Sequence, residues 1–269
     1  MTALSNTQVD RLGDRLRKGG YGEADVRQLD EYRRSFDDAY QNVVHTLRDV
    51  GFEPTGRPSK STASIVEKLR RESIRLSQMQ DIAGCRIVVA NMLEQDRSVT
   101  SLRAAFPEAI VVDRRQNPSH GYRAVHVIPQ PLGKPIEIQV RSSLQHLWAE
   151  LSEKASDVVD PMVKYGGGPA EMRTVLDGFS QSVTQLEWLE GEYAEMGGRI
   201  ELIERDLAES TLRHGVVEQS DKKRKRLDEL KQSVGQSRTE WETLQASLTD
   251  NLIQAISWLD RMDQAEEGP

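Results

Sequence analysis

The sequence contains a single cysteine, Cys85, and aromatic residues make up only 5% of it. One cysteine excludes disulfide bonds within the chain and a zinc site built from several thiolates. No apolar run reaches the roughly 20 residues that a membrane-spanning helix needs, and the first 20 residues lack the apolar stretch of a signal peptide. We therefore expect a cytoplasmic protein that does not associate with membranes.

Charge is distributed unevenly over the 269 residues. Residues 1–160 carry 23 Lys and Arg against 22 Asp and Glu, whereas residues 161–269 carry 13 against 21. The net charge of −7 therefore belongs to the second part of the chain. Within the first part, residues 57–75 carry six basic residues against two glutamates, and such a local field attracts an anionic ligand.

Hydrophobic periodicity predicts one helix over residues 23–50 that ends at Gly51. A loop rich in Gly, Pro, Ser and Thr follows, and a further helix starts with Ser61 or Thr62 as its N-cap. Three or four β-branched runs then predict strands, and helices are predicted over residues 94–105 and 144–158. The strand sequences are GCRIVVA, AIVVD, YRAVHVIP and PIEIQVR.

Alternation along the predicted strands assigns side chains to the two faces of the sheet. It places Tyr122 with His126 on one face, and Glu137, Gln139 and Arg141 together on a polar face. A carboxylate within a β-branched strand is disfavoured unless it faces water, a cation or a substrate, so Glu137 is a candidate functional residue. Asp81 precedes a strand, where a carboxylate can hold a divalent ion, although capping is its commoner role.

The clearest break in the chain lies at residues 159–170, which contain Pro161, three consecutive glycines and Pro169. We predict a domain over residues 1–160 and a helical extension over residues 170–265. Two long apolar stripes predict that this extension is an antiparallel hairpin of coiled-coil type. It would serve homo-oligomerisation, cover the active site or recruit a partner protein. The basic run at residues 221–226 indicates either nucleic-acid contact or, more commonly, a solvated face.

Four ordered stretches resemble the synthetase domain of the RelA/SpoT family, most closely the small alarmone synthetases and their toxin relatives. They are GRPSKSTASIVEKLRR, LSQMQDIAGCRIVV, HGYRAVH and IEIQVRSSLQHLWAELSEK, over residues 55–155. A chance match to all four in this order is improbable. The resemblance implies a nucleotidyltransferase-like α/β (α+β) fold with a mixed sheet flanked by helices. It also implies transfer of a pyrophosphoryl group from ATP to the ribose 3′-hydroxyl of GDP or GTP, which makes the alarmone (p)ppGpp.

The same resemblance implies roles for individual residues. Those assigned to ATP binding are Arg57, Lys60, Ser64, Lys68 and Arg86. Those assigned to the acceptor are Tyr122, His126, Gln139 and Ala149, with the acceptor base stacked on Tyr122. Asp81 and Glu137 are implied as catalytic residues that bind Mg²⁺, and Glu137 also orients or deprotonates the 3′-hydroxyl.

Other interpretations stay open. Pro118, Ser119 and His120 precede Gly121, where guanosine-specific members tend to have a lysine and an asparagine. In the second interpretation the reaction is the same, but the acceptor is the tRNA 3′ end or an adenosine nucleotide, as in toxin relatives. The acidic second part of the chain argues against tRNA, because it would repel a polyanion. The third is a non-catalytic assembly module, which the intact Asp81 and Glu137 oppose. No His-Asp pair of the family's hydrolase domain is present, so we expect synthesis without hydrolysis.

Overall fold

A computed structural model describes residues 4–214 and 218–266; the side chains of residues 57, 210–221 and 266 lie outside this description. The helices are α1 (Asn6–Lys18), α2 (Glu23–Arg34), α3 (Asp37–Asp49), α4 (Thr62–Arg71), α5 (Met92–Ala105), α6 (Ser143–Val158), α7 (Ala170–His214) and α8 (Glu218–Glu266). The strands are β1 (Thr55–Arg57), β2 (Ala83–Val89), β3 (Ile110–Asp113), β4 (Val125–Ile128) and β5 (Ile136–Ser142). The predicted fold class, a mixed sheet flanked by helices with a helical extension, is confirmed.

The five strands form one sheet in the order β1-β2-β5-β4-β3. The pairs β1–β2, β3–β4 and β4–β5 are antiparallel. In β5, Ile136, Ile138 and Val140 are fully buried, whereas Glu137 and Gln139 between them are half-buried. The alternation predicted for this strand is therefore confirmed for Glu137 and Gln139, whereas Arg141, predicted on the same polar face, is buried.

The single helix predicted over residues 23–50 is wrong, because the chain forms α2 and α3 with a break at Ser35 and Phe36. The Ser35 hydroxyl donates to the Tyr32 carbonyl at 2.6 Å and so competes with the backbone hydrogen bonds of the helix. Phe36 packs edge-on against Tyr32, with 5.2 Å between the ring centroids. The apolar spacing continues through the break, which is why periodicity does not reveal it.

The loop predicted after Gly51 contains the short strand β1. Gly56 permits this strand, because a Cβ there would lie 2.5 Å from the Cα of Cys85 in β2. The N-cap prediction is confirmed for Ser61, whose hydroxyl accepts a hydrogen bond from the Ser64 amide at 3.2 Å. Helix α4 therefore begins at the predicted position.

Tyr122 does not lie in a strand with His126 as predicted, since β4 begins only at Val125. Tyr122 instead closes a tight turn, in which its amide donates to the Ser119 carbonyl at 3.0 Å and its carbonyl accepts from the Ser119 amide at 3.3 Å. Gly121 occupies the turn with a φ of 88°, a conformation that favours glycine. Strand alternation therefore cannot assign a direction to the Tyr122 side chain.

The chain divides into two compact units. The first consists of Met1–Val89, Gln95–Asn117 and Ala124–Arg141, and the second of Ala90–Glu94, Pro118–Arg123 and Ser142–Pro269. The break at residues 159–170 lies inside the second unit. Separate domains over residues 1–160 and 170–265 stay a prediction.

Each unit has its own hydrophobic core. In the first, α1 to α4 pack with the apolar side chains of the sheet, and Leu12, Leu47, Leu69 and Ile138 are completely buried. In the second, side chains of α6, α7 and α8 surround Trp148, which is 4% exposed. Burial of such side chains is the main stabilising contribution in both units.

The two long helices run antiparallel, as predicted. Trp241 in α8 donates from its indole nitrogen to the Leu186 carbonyl in α7 at 3.2 Å, whereas Lys223, near the start of α8, pairs with Asp206 near the end of α7. The basic side chains of residues 222–226 are exposed. No helix among the described residues combines the length and the apolar character needed to cross a bilayer.

Candidate active site

The loop between β1 and α4 is fixed on two sides, and it carries Lys60. The Lys60 amide donates to the Ile82 carbonyl at 2.7 Å, which holds the loop against the entry to β2. Arg33 in α2 donates to the Lys60 carbonyl at 3.2 Å and to the Thr62 hydroxyl at 2.5 Å. Arg33 is not among the predicted site residues, because a basic residue on an amphipathic helix is usually solvated. The signal for it in the sequence is its position next to the apolar Tyr32.

Asp81 lies between two lysines. The Lys60 Nζ is 2.7 Å from Asp81 Oδ2, and the Lys68 Nζ is 2.9 Å from Oδ1. Burial by itself would raise the pKa of Asp81, but the two ammonium charges and their hydrogen bonds outweigh it and lower this pKa to about 2. Asp81 is therefore a carboxylate at neutral pH, and it engages two of the cations that the resemblance assigns to the triphosphate.

Glu137 is held through both of its oxygens. His126 Nδ1 lies 3.0 Å from Oε1, and Gln139 Nε2 donates to Oε2 at 2.7 Å. Arg141, which is 2% exposed, donates to Gln139 Oε1 at 2.7 Å and so orients that amide. Burial would raise the pKa of Glu137, but the His126 contact and the Gln139 hydrogen bond bring it below its usual range. The result is an ionised carboxylate in a fixed orientation.

The two carboxylates lie within electrostatic reach of each other in the first unit. The negative charge of Asp81 acts on Glu137 and opposes the lowering of its pKa. Asp81 lies in the turn just before β2, and Glu137 lies in the neighbouring strand β5. The candidate acid pair therefore occurs together with two lysines, an arrangement suited to a metal-bound polyphosphate.

No cluster of three or more His, Cys, Asp and Glu side chains that could hold a metal occurs within residues 4–214 and 218–266. Two carboxylates are nevertheless a suitable protein contribution for Mg²⁺, which in nucleotide sites usually binds one or two carboxylates together with substrate phosphates and water. Asp81 and Glu137 could hold such an ion, with the remaining ligands from the nucleotide and water.

The other residues assigned to ATP belong to β1, β2 and α4 of the first unit, and their roles stay predictions. The Arg57 backbone pairs with Gly84 in the β1–β2 ladder, but its side chain lies outside the described part of the structure. Arg86 lies in β2 opposite Thr55 and is half-buried. Ser64 lies in the first turn of α4, with its hydroxyl 2.8 Å from that of Ser61.

The residues assigned to the acceptor fall into both units. His126 and Gln139 are opposite each other in the β4–β5 ladder of the first unit, where both contact the Glu137 carboxylate. Tyr122 and Ala149 belong to the second unit, where Tyr122 packs against the core and Ala149 is buried within it. The first pair is thus in place beside the candidate catalytic residue, and the acceptor roles of all four stay predictions.

Gly84 permits the close approach of β2 and β5 at Glu137. A Cβ at this position would lie 2.6 Å from the Glu137 carbonyl oxygen, so Gly84→Ala must shift one of the two strands. We expect a loss of about 1–3 kcal/mol in the free energy of unfolding, measured by urea denaturation. Gly178→Ala is the control, because a Cβ there meets nothing within 4 Å and the change should stabilise α7 slightly. A Gly84→Ala variant as stable as the wild-type chain would contradict this close approach.

Comparison with known proteins supports the resemblance to the RelA/SpoT family. The model of the region found in RelA / SpoT proteins matches residues 56–156, a range that contains every site residue predicted from the sequence. GTP pyrophosphokinase YjbM of Bacillus subtilis is 32% identical over 163 residues, which cover 55% of this chain and 72% of that protein. An uncharacterised protein of Mycobacterium tuberculosis is 33% identical over 178 residues, and the match spans 62% of this chain and 64% of the relative's length.

The fold has a counterpart among solved structures. Small alarmone synthetase 1 from Bacillus subtilis, bound to its product pppGpp, superposes with a TM-score of 0.50 and 25% sequence identity. The match covers 62% of this chain and 96% of that one. The resemblance found in the four sequence motifs is therefore confirmed, and the chain belongs to the RelA/SpoT family.

Proposed function

We propose that the chain is an alarmone synthetase that transfers the β,γ-pyrophosphoryl group of ATP to the 3′-hydroxyl of GDP or GTP. The 3′-oxygen forms a bond to the β-phosphorus, the bond between that phosphorus and the α,β-bridging oxygen breaks, and AMP leaves. One observation carries the proposal: two ionised carboxylates, Asp81 and Glu137, lie within electrostatic reach of each other, and Asp81 contacts Lys60 and Lys68. Relatives named for GTP pyrophosphokinase and alarmone synthesis support the acceptor.

The charges of this site suit the electrostatics of the transfer. Lys60 and Lys68 would neutralise the triphosphate and so reduce its repulsion of the incoming hydroxyl, while Arg57 and Arg86 would hold the adenine. Glu137 would accept a hydrogen bond from the 3′-hydroxyl and take its proton. Because its lowered pKa makes it a weak base, its main contribution is to orient the hydroxyl, which is sufficient for the loose transition state of phosphoryl transfer.

Asp81 and Glu137 would also hold Mg²⁺ together with the nucleotide. Their hard oxygen donors fit the ion, and phosphate oxygens and water would complete its coordination. When bound, Mg²⁺ supplies charge neutralisation at the transferred group. The engagement of Asp81 by two lysines means that this carboxylate must exchange partners when the metal and the nucleotide bind.

A second candidate keeps the chemistry and changes the acceptor to the tRNA 3′ end or an adenosine nucleotide. It is favoured by the sequence before Tyr122, because residues 118–121 include no lysine for an acceptor phosphate, and His120 there has a φ of 52° and lies against Gly166. The exposed basic residues 222–226 would suit tRNA.

We also propose that the chain does not hydrolyse its product, since it lacks the His-Asp pair of the family's hydrolase domain.

The acceptor can be identified directly. The full-length chain is incubated with Mg²⁺, γ-labelled ATP and, separately, GDP, GTP, ATP or deacylated tRNA. We expect label in a guanosine 3′-diphosphate, release of one AMP per transfer, and no release of pyrophosphate from purified product. Label in tRNA or in an adenosine product would establish the second candidate. Absence of transfer to every acceptor would leave the non-catalytic assembly module.

A further inference from the structure

The turn that carries Tyr122 is attached to the helical part of the second unit. A Cβ on Gly121 would lie 2.5 Å from the Trp148 ring in α6 and 3.0 Å from the Ser180 hydroxyl in α7. Trp148 is itself fixed, because its indole nitrogen donates to the Leu176 carbonyl in α7 at 3.1 Å. The backbone next to Tyr122 therefore rests directly on both helices.

A buried ion pair makes a second attachment on the other side of Tyr122. Arg123 Nε donates to Glu187 Oε2 in α7 at 2.8 Å, and the two side chains are only 12% and 5% exposed. Gln145 in α6 donates to the second oxygen, Oε1, at 2.5 Å. A carboxylate that uses both oxygens in a buried network has one favoured orientation, and the loss of its charge would leave Arg123 buried without this partner.

One partner of this attachment, Glu187, lies outside the region that matches the family model, whereas Arg123 and Gln145 lie within it. The matched region ends at residue 156, whereas Glu187 lies 31 residues further along the chain, in the helical extension. If α7 only followed the synthetase region in the chain, no buried contact between a glutamate of α7 and Arg123 would be needed. The cost of burying this charge is offset only if the arginine and the amide remain in place.

We propose that Glu187 is a positioning residue for the acceptor, acting through Arg123 to hold Tyr122 in the conformation that receives the acceptor base. The proposal rests on the proposed function for its substrate, but the attachment itself is a property of the second unit. It gives the helical extension a role in acceptor use. Removing the Glu187 charge should weaken acceptor binding and leave ATP binding unchanged, because the residues assigned to ATP lie in the first unit.

The test compares Glu187→Gln with Glu195→Gln, an exposed position on the same helix, in the full chain. Hydrogen exchange of a peptide over residues 118–124 reports the attachment without any substrate, and we expect faster exchange in Glu187→Gln only. Steady-state kinetics report its function, and we expect the KM for GDP to rise about tenfold while the KM for ATP stays within about twofold. Thermal unfolding establishes that the variant is folded.

Arg123→Met provides the second variant. If Glu187 acts through Arg123, this change should give the same rise in the KM for GDP, and the double variant should be no worse than either single one. Unchanged exchange over residues 118–124, equal effects on both KM values, or additive effects in the double variant would each overturn the proposal. If the wild-type chain transfers to no acceptor, the proposed function fails and the acceptor role of Glu187 fails with it, whereas the exchange result still decides the attachment.

Discussion

Replacing Glu137 with glutamine should reduce pyrophosphoryl transfer by about 10²–10⁴-fold and leave the fold intact. The two side chains have the same shape, so the packing of β5 is preserved. Glutamine lacks the negative charge with which Glu137 would orient the 3′-hydroxyl and hold a metal ion, and it cannot take the proton of that hydroxyl. The rate is measured with saturating ATP and acceptor, and ATP binding is measured separately by calorimetry, where we expect a much smaller change.

Glu108→Gln is the matched control, since this exposed glutamate precedes β3 and lies outside the candidate site. It should transfer at the wild-type rate. The pH dependence gives a further check, because the active form of Glu137 is ionised and its pKa lies below the usual glutamate range. Protonation of this group should therefore not limit the rate until the pH falls below that range. Near-normal turnover of Glu137→Gln would refute the assignment.

The polar side chains of β5 could be predicted from the sequence because alternation is a local property of a strand. The family motifs also point to Asp81, Lys60 and Lys68, but with the lysines assigned to the triphosphate and the aspartate to the metal. The direct contact among the three was not predicted. Asp81 is 21 residues from Lys60 and 13 from Lys68, and contacts at such separations depend on how the loop, α4 and β2 meet.

The features that were missed have the same origin. The break at Ser35 depends on one side-chain hydrogen bond, and periodicity does not register it. The attachment of Arg123 to Glu187 joins residues 64 positions apart, in segments that the sequence assigned to different domains. Tyr122 was placed in a strand because the apolar alternation around it extends beyond the real start of β4 at Val125. Local sequence patterns therefore predicted most of the helices and strands, whereas contacts between residues distant in sequence determine which side chains lie together.

Replacing Asp81 with asparagine should abolish transfer and, at the same time, strengthen the binding of an ATP analogue in the absence of metal. In the wild-type chain Asp81 neutralises Lys60 and Lys68, so a metal-free triphosphate must compete with it for both lysines. Lowering the pKa of Asp81 from 3.8 to about 2 corresponds to about 2 kcal/mol of stabilisation of the carboxylate by its surroundings. In the variant this competition is absent, and we expect its affinity for the metal-free ATP analogue to rise by about tenfold.

The measurement is calorimetric titration with a non-hydrolysable ATP analogue, in EDTA and in Mg²⁺. The wild-type chain should bind much more tightly with Mg²⁺, because Asp81 would then hold the ion and leave Lys60 and Lys68 to the phosphates. The variant should show little difference between the two conditions. Asp96→Asn is the control, since it removes a carboxylate that pairs with Arg115 rather than with these lysines, and it should behave as wild type. Normal turnover of Asp81→Asn, or metal-free binding no tighter than in wild type, would contradict the exchange of partners.

The same substitution should also change how stability depends on pH. The folded-state pKa of Asp81 is depressed, so its contribution is fully present above pH 3.8 and is lost as the pH falls towards about 2. Asp81→Asn should therefore be less stable than wild type by about 2 kcal/mol at pH 7, and this difference should shrink in strong acid. Saturating inorganic triphosphate should restore part of the loss at pH 7, because it supplies Lys60 and Lys68 with the negative charge that the carboxylate provided.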